Sequence, residues 1–298
     1  MSSEQRRPFC SDVSRADDEP LAATASRVDR WLLVEYRGLW AHDAVDDSTL
    51  STEVKRALVA WRNAEPRSRV LFVRRTERRR EDGLVAFRVT SREGESWARC
   101  IELERHDDLA DLDLDTEGEP LDHPLLLVCT HGKHDPCCAR FGRPLYEAVR
   151  EAVDDDWAWQ VSHVGGDRFA GNLVELPGGL YFGRVDPAEA WDTVDELLAG
   201  RIPLARYRGR SCYSFPVQAA ERTVRAHAGL VAVDDLRLAS VTHADAERWI
   251  VRFATASGET WETTIVRQDG PLTYLTCSAR ELRHPRHYAA GSPPVRVS

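Results

Sequence analysis

The stretch "HPLLLVCT" (His123–Thr130) constrains the fold more than any other. It is an unbroken apolar run with no alternation, as expected of a strand buried on both faces. Leu145, Ala148, Val149 and Ala152 then recur at helical spacing, with Pro144 placed in the first turn. "WAWQVSH" reads as the next strand. A strand, a helix and a strand in that order form a parallel pair through a crossover. "NLVELPGGLYFGRV" adds two strand-like runs around Pro177-Gly178-Gly179, a hairpin signal. "DPAEAWDTVDELLAG" closes the block as a helix. Asp186 is its cap, Pro187 its first residue, and Glu189 completes a capping-box pattern. Trp191, Val194, Leu197 and Leu198 supply its buried face, and Gly200 its stop.

The order strand–helix–strand–strand–strand–helix is the outline of a thioredoxin-like domain, assigned to residues 118–205. At 298 residues the chain is too long for one ordinary core. Residues 1–117 read as an N-terminal α/β domain behind an extended, weakly ordered leader. "WLLVEYR", "RVLFVRR", "LVAFRVTS" and "SWARCIELE" are its strands, and Leu50, Val54, Leu58 and Trp61 share one helical face. The arginine-rich "VRRTERRREDG" reads as a solvated turn balanced by Glu77, Glu81 and Asp82. The acidic run Asp107–Pro120 is the linker candidate. Residues 206–298 read as a small α+β module, with a helix at "VQAAERTVRAHAG" and strands at "LRLASV", "ERWIVRFAT", "ETWETTIVR" and "LTYLTC". Trp249, Val251 and Phe253 share a face. The last histidines, within "HPRHY" (His284–Tyr288), read as a solvated tail. No internal repeat of fixed period is visible.

A net charge of −9 argues against nucleic acid or an anionic membrane as partner. No signal peptide or membrane-spanning run is visible, so a cytoplasmic location is expected. Structural disulfides are rare there, and the seven cysteines read as core residues, metal ligands or redox groups. No Rossmann glycine fingerprint or phosphate loop appears.

The chemistry concentrates in "CTHGKHDPCCARFG" (Cys129–Gly142). Cys129 ends a buried strand and Cys138 stands at the head of the helical stretch, where free N–H groups favour thiolate. "SHVGGDRFAGN" (Ser162–Asn172) follows the next strand and brings His163 and Asp167 across a Gly-Gly turn. Spacing alone leaves four outcomes open. They are an iron–sulfur cluster, zinc, thiol chemistry on the vicinal pair Cys137-Cys138, and a metal-free turn. His131 and Asp135 read as turn-shaping residues. Cys10, Cys100, Cys212 and Cys277 have no partner spacing and read as buried thiols.

Four stretches resemble the sucrase/ferredoxin-like family: "CTHGKHDPCCARFGRPLYEA", "SHVGGDRFAGNLVELPGGLYFGRV", "FCSDVSRADDEPLAATASRVDRWLLVEYRG" and "YRGRSCYSFPVQAAE". The resemblance implies a central thioredoxin-like ferredoxin domain and a [2Fe-2S] cluster with mixed ligation. Fungal members hold theirs with two cysteines and an H-x-x-x-H pair. Carried over by position, the cysteines are Cys129 and Cys138 and the first histidine is His163. The second position is Asp167, a harder ligand, in a G-G-D reading that matches a bacterial branch. The fourth ligand is then one of Asp167, Cys137, His131 or His134. The implied role is electron transfer with an unnamed redox protein. The alternatives are a thiol oxidoreductase, or a scaffold that binds zinc or no metal. No acid pair stands in a motif that supports sucrose hydrolysis.

Overall fold

A computed structural model describes residues 7–76, 83–154 and 156–297. Its elements in chain order are α1 (Cys10–Ala16), β1 (Arg30–Glu35), α2 (Thr52–Ala64), β2 (Ser68–Arg74), β3 (Leu84–Arg92), β4 (Glu95–Leu103), β5 (Glu119–Pro120), β6 (Leu125–Cys129), α3 (Pro136–Glu151), β7 (Ala158–Val161), β8 (Leu173–Leu176), β9 (Leu180–Phe182), α4 (Ala190–Leu198), β10 (Tyr207–Arg210), α5 (Phe215–Ala228), β11 (Leu236–His243), β12 (Arg248–Thr255), β13 (Thr260–Asp269), β14 (Arg286–Ala290) and β15 (Val295–Val297). Residues 77–82 of the arginine-rich turn lie outside the described residues.

The apolar run Leu125–Cys129 is β6, buried along its whole length. It pairs parallel with β7 through the α3 crossover and antiparallel with β8, which forms the expected hairpin with β9. The local order β9-β8-β6-β7 is thioredoxin-like. The N-terminal half has the same topology: β1 pairs parallel with β2 through α2, β3 lies antiparallel on β1, and β4 on β3. Antiparallel pairing of β2 with β7 joins the halves into one ten-stranded sheet, β10-β9-β8-β6-β7-β2-β1-β3-β4-β5. Only the topology repeats, so no sequence period announces it. The expected boundaries at 117/118 and 205/206 fall just ahead of β5 and β10, and both of these strands belong to the large sheet.

The sheet curls strongly. Five strand steps separate β9 from β1, which in a flat sheet would be about 24 Å. Yet the rings of Trp31 on β1 and Tyr181 on β9 are 6.1 Å apart. Their common cluster also holds Leu33, Leu125, Leu127, Cys129, Trp159 and Val161. Alternate residues of the same strands face outward. Val54, Leu58 and Trp61 of α2 cover one outer patch, and Leu145, Tyr146, Val149 and Val194 of α3 and α4 another. The last third is the expected α+β module, with α5 packed on an antiparallel sheet through Val217, Ala220, Val224, Val251, Phe253 and Ile265.

Several local expectations are corrected. Helix α3 begins at Pro136, so Pro144 lies inside it, not in its first turn. A 3-10 turn at Pro187–Glu189 delays α4 until Ala190 and rotates it. Ala190, Thr193 and Val194 face inward, and Trp191 is 53% exposed. Glu189 pairs with Arg206 in place of closing a capping box. The leader is packed, because α1 buries Cys10, Ser11 and Ser14. The acidic run is also anchored: Leu109 and Leu114 are buried, and Asp115 accepts the Trp61 indole N–H at 3.0 Å and pairs with Arg30. "LTYLTC" is not a strand but a loop that delivers Cys277 inward. The "HPRHY" segment is β14 and its approach, not a tail.

Candidate metal centre

Three segments meet beyond the C-terminal end of β6. Cys129 ends that strand, and the turn after it reverses the chain into α3. Asp135 caps α3 by accepting the Cys137 N–H at 2.8 Å, and Pro136 fills the first position, where no amide partner is needed. This fixes Cys138 in the first helical turn. The third segment follows β7. Gly166, at φ +83°, adopts a left-handed conformation that other residues rarely take, and the turn folds Asp167 back beside His163.

The sulfurs of Cys129 and Cys138 and a ring nitrogen of His163 lie within 4.8 Å of one another, as do ligand atoms of His134, His163 and Asp167. Cys138 Sγ is 3.9 Å from His163 Nδ1 and 3.3 Å from Asp167 Oδ1, and Nδ1 is 2.9 Å from that same carboxylate oxygen. Cys129, Cys138 and Asp167 are buried; the His163 side chain is 19% exposed.

The protonation pattern follows from these contacts. The Cys138 thiol donates to Cys129, which outweighs burial and, with His163, holds the Cys129 thiol well below its usual range. Cys138 is pushed up by the same bond, by burial and by Asp167. Burial opposes charge on His163, but the Asp167 carboxylate and the Cys129 thiolate push it up to about 9. Asp167, opposed by its own burial, is held low by His163. These contacts favour negative charge on the Cys129 sulfur and positive charge on the His163 ring.

The four sequence candidates for a fourth ligand separate. Asp167 touches the other donors directly. The ring of His134 stacks on that of His163 with centroids 3.8 Å apart. His131 spends both ring nitrogens on the backbone, 2.6 Å from Ala41 O and accepting the His163 N–H at 3.3 Å. It shapes the turn, as does Asp135. Cys137 turns the opposite way from Cys138, toward Cys10 and Cys277. The Cys10 thiol lowers Cys137 to about 7. The vicinal cysteines thus serve two different neighbourhoods. Cys100 and Cys212, expected to be buried, are each partly exposed.

Sequence reading missed the residues that brace the site. Arg208, fully buried on β10, donates to Gly165 O at 3.0 Å, to Asn172 Oδ1 at 2.8 Å and to Thr24. Burial lowers its pKa to about 10. Arg69 on β2 donates to the carbonyls of His163 and Val164. Arg208 entered the sequence reading only as part of "YRGRSCYSFPVQAAE", one of the stretches that carry the family resemblance. A cleft of about 310 Å³ opens beside the site, lined by His131, His134 and His163 together with Arg62, Arg69 and Asp43.

In comparison with known proteins, a family model described as sucrase/ferredoxin-like matches residues 21–209. The chain belongs to the sucrase/ferredoxin-like family. Its relatives include altered inheritance of mitochondria protein 32 of Eremothecium gossypii, 34% identical over 107 residues (31% of this chain, 34% of that protein). The protein of the same name from Debaryomyces hansenii is 29% identical over 106 residues (32% and 39%). The chain thus spans about a third of the length of the curated relatives it matches. Among solved structures, a cysteine-to-serine variant of the thioredoxin-like [2Fe-2S] ferredoxin from Aquifex aeolicus is 18% identical, with a TM-score of 0.27. It covers 30% of this chain and 100% of that one. Among the described residues no helix is long and apolar enough to cross a membrane.

Proposed function

We propose that this sucrase/ferredoxin-like protein is an electron carrier that holds a [2Fe-2S] cluster on Cys129, Cys138, His163 and Asp167. The observation that carries the reading is the meeting of two thiols and an imidazole, from three separate segments, within 4.8 Å. The donor set fits such a group: two thiolates for one iron, and one imidazole with one carboxylate for the other, in a dry setting. When bound, the cluster supplies one-electron chemistry. Cys129 and Cys138 are closed off from solvent, which limits loss of iron and attack on the sulfurs. His163 is the most exposed of the four and borders the cleft, so it is the contact through which a partner couples. A ring nitrogen of histidine can also titrate and link electron uptake to proton uptake. The turn braced by Arg208 and Arg69 holds His163 and Asp167 in one orientation. We place the protein in the cytoplasm, a reducing compartment that suits two sites built on thiols.

The test is anaerobic purification after iron-replete expression, with a visible spectrum and iron and sulfide assays. The expected result is coloured protein with equal iron and sulfide, and loss of both in Cys138→Ser. Colourless protein free of iron would overturn the reading. Zinc lost on Cys138→Ser would favour a mononuclear Cys₂HisAsp site, which the close approach of Cys138 to Asp167 also suits.

A further inference from the structure

A second constellation lies on the other side of the Cys137-Cys138 pair. Cys137 Sγ is 3.4 Å from Cys277 Sγ, and Cys10 Sγ is 3.6 Å from each of them. The three sulfurs form a nearly equilateral triangle. They come from α1, from the first turn of α3, and from the loop between β13 and β14. Asp135 stands beside them: its Oδ2 is 3.8 Å from Cys10 Sγ and accepts the Cys277 N–H at 2.7 Å. Two donors point at the sulfurs, the Cys10 N–H to Cys277 at 3.4 Å and the Ser11 hydroxyl to Cys137 at 3.1 Å. Phe9, Phe141 and Ala170 close the surroundings.

We propose that Cys10, Cys137 and Cys277 form a structural site for a thiophilic divalent cation, zinc foremost, with Asp135 or a water as fourth ligand. Tetrahedral zinc–thiolate bonds of about 2.3 Å separate the sulfurs by about 3.8 Å, so the triangle needs to open only slightly. Buried core thiols normally face carbon, whereas these face one another, a carboxylate and hydrogen-bond donors. One disulfide would strand the third sulfur against the bridge. Three thiolates, with N–H and O–H donors to sulfur, instead match the donor preference of zinc. Binding releases the thiol protons to solvent and ties the leader and the Cys277 loop to α3, one residue from Cys138. The site therefore steadies the helix that presents Cys138, yet shares no ligand with the proposed cluster.

The experiment is metal analysis of the full chain after zinc-supplemented expression, beside Cys10→Ser, Cys277→Ser and the double variant, with folding checked by circular dichroism. The expected result is that the folded double variant holds one zinc per chain fewer than the parent. Cobalt(II) added to the metal-stripped parent should give the intense ligand-field bands of a tetrahedral thiolate site, and Cys277→Ser should not. Zinc content unchanged between the parent and the folded double variant would overturn the proposal. So would a parent without zinc that gives no tetrahedral cobalt bands, or a Cys10–Cys137 disulfide in freshly prepared protein. Iron and sulfide content, and any zinc lost on Cys138→Ser, report on the Cys129–Cys138 centre separately, so the two readings can fail independently.

Discussion

Gly142 on α3 lies directly against the carbonyl oxygen of Cys129 on β6: a β-carbon built on it would stand 1.9 Å from that oxygen. The absence of a side chain here lets the helix approach the strand end closely enough for Cys138 to reach Cys129. Gly142→Ala must push helix and strand apart. Overpacking of this kind costs about 1–3 kcal/mol. The variant should melt several degrees lower and hold less metal per chain, checked by thermal denaturation and elemental analysis. Unchanged stability with full metal would show that the contact does not set the Cys129–Cys138 spacing.

Arg208 makes a comparable demand through hydrogen bonds. It answers Gly165 O, Asn172 Oδ1 and the hydroxyl of Thr24 from a fully buried position. Arg208→Met leaves these acceptors without their donor, at a cost of about 3–5 kcal/mol. It also frees the turn that carries His163 and Asp167. Urea denaturation should show the loss. Amide exchange should rise first in 163–172 while the α5 module stays protected.

The contrast between what was and was not legible follows from the range of the interactions. The β6–α3–β7 crossover, the hairpin and the α+β module could be read from local periodicity and turn residues. So could Cys129, Cys138, His163 and Asp167 as candidates, because each lies at an element end. The rotation of α4 was not legible, since it depends on a 3-10 turn at Pro187–Glu189 that shifts the helical frame. The fusion of two halves through β2 and β7 leaves no mark, because strand pairing carries no local signature. Cys10 and Cys277 seemed unrelated for the same reason: 267 positions separate residues whose sulfurs stand 3.6 Å apart. Arg208 is an ordinary surface residue by composition, and only the fold buries it.

Asp167 gives a prediction that rests on the proposed cluster. A carboxylate ligand adds negative charge and favours the oxidised state relative to a neutral imidazole. Asp167→His should keep the iron and raise the midpoint potential by on the order of 100 mV. Asp167→Ala should lose iron, because the fourth donor goes and His163 loses its 2.9 Å partner. Redox titration followed in the visible range, with iron per chain, checks both. A potential unmoved in Asp167→His would place the fourth ligand elsewhere, with His134 the nearest candidate.

Glu175 provides a pH test apart from any metal. Burial pushes its carboxyl from the ordinary 4.5 up to about 7, although the Gly178 N–H and the charge of Arg210 pull it down. Because the folded value is the higher one, the folded chain keeps this proton after the unfolded chain has released it. The contribution to stability is complete below about pH 4.5 and fades as the pH rises to about 7. Glu175→Gln mimics the protonated form and can keep the bond from Gly178 N–H, now 3.3 Å long. Allowing for partial exposure, it should add about 1–2 kcal/mol at pH 8 and little at pH 4. Denaturation of parent and variant at both pH values measures the difference. A gain equal at the two values would mean that the effect comes from packing and not from the proton.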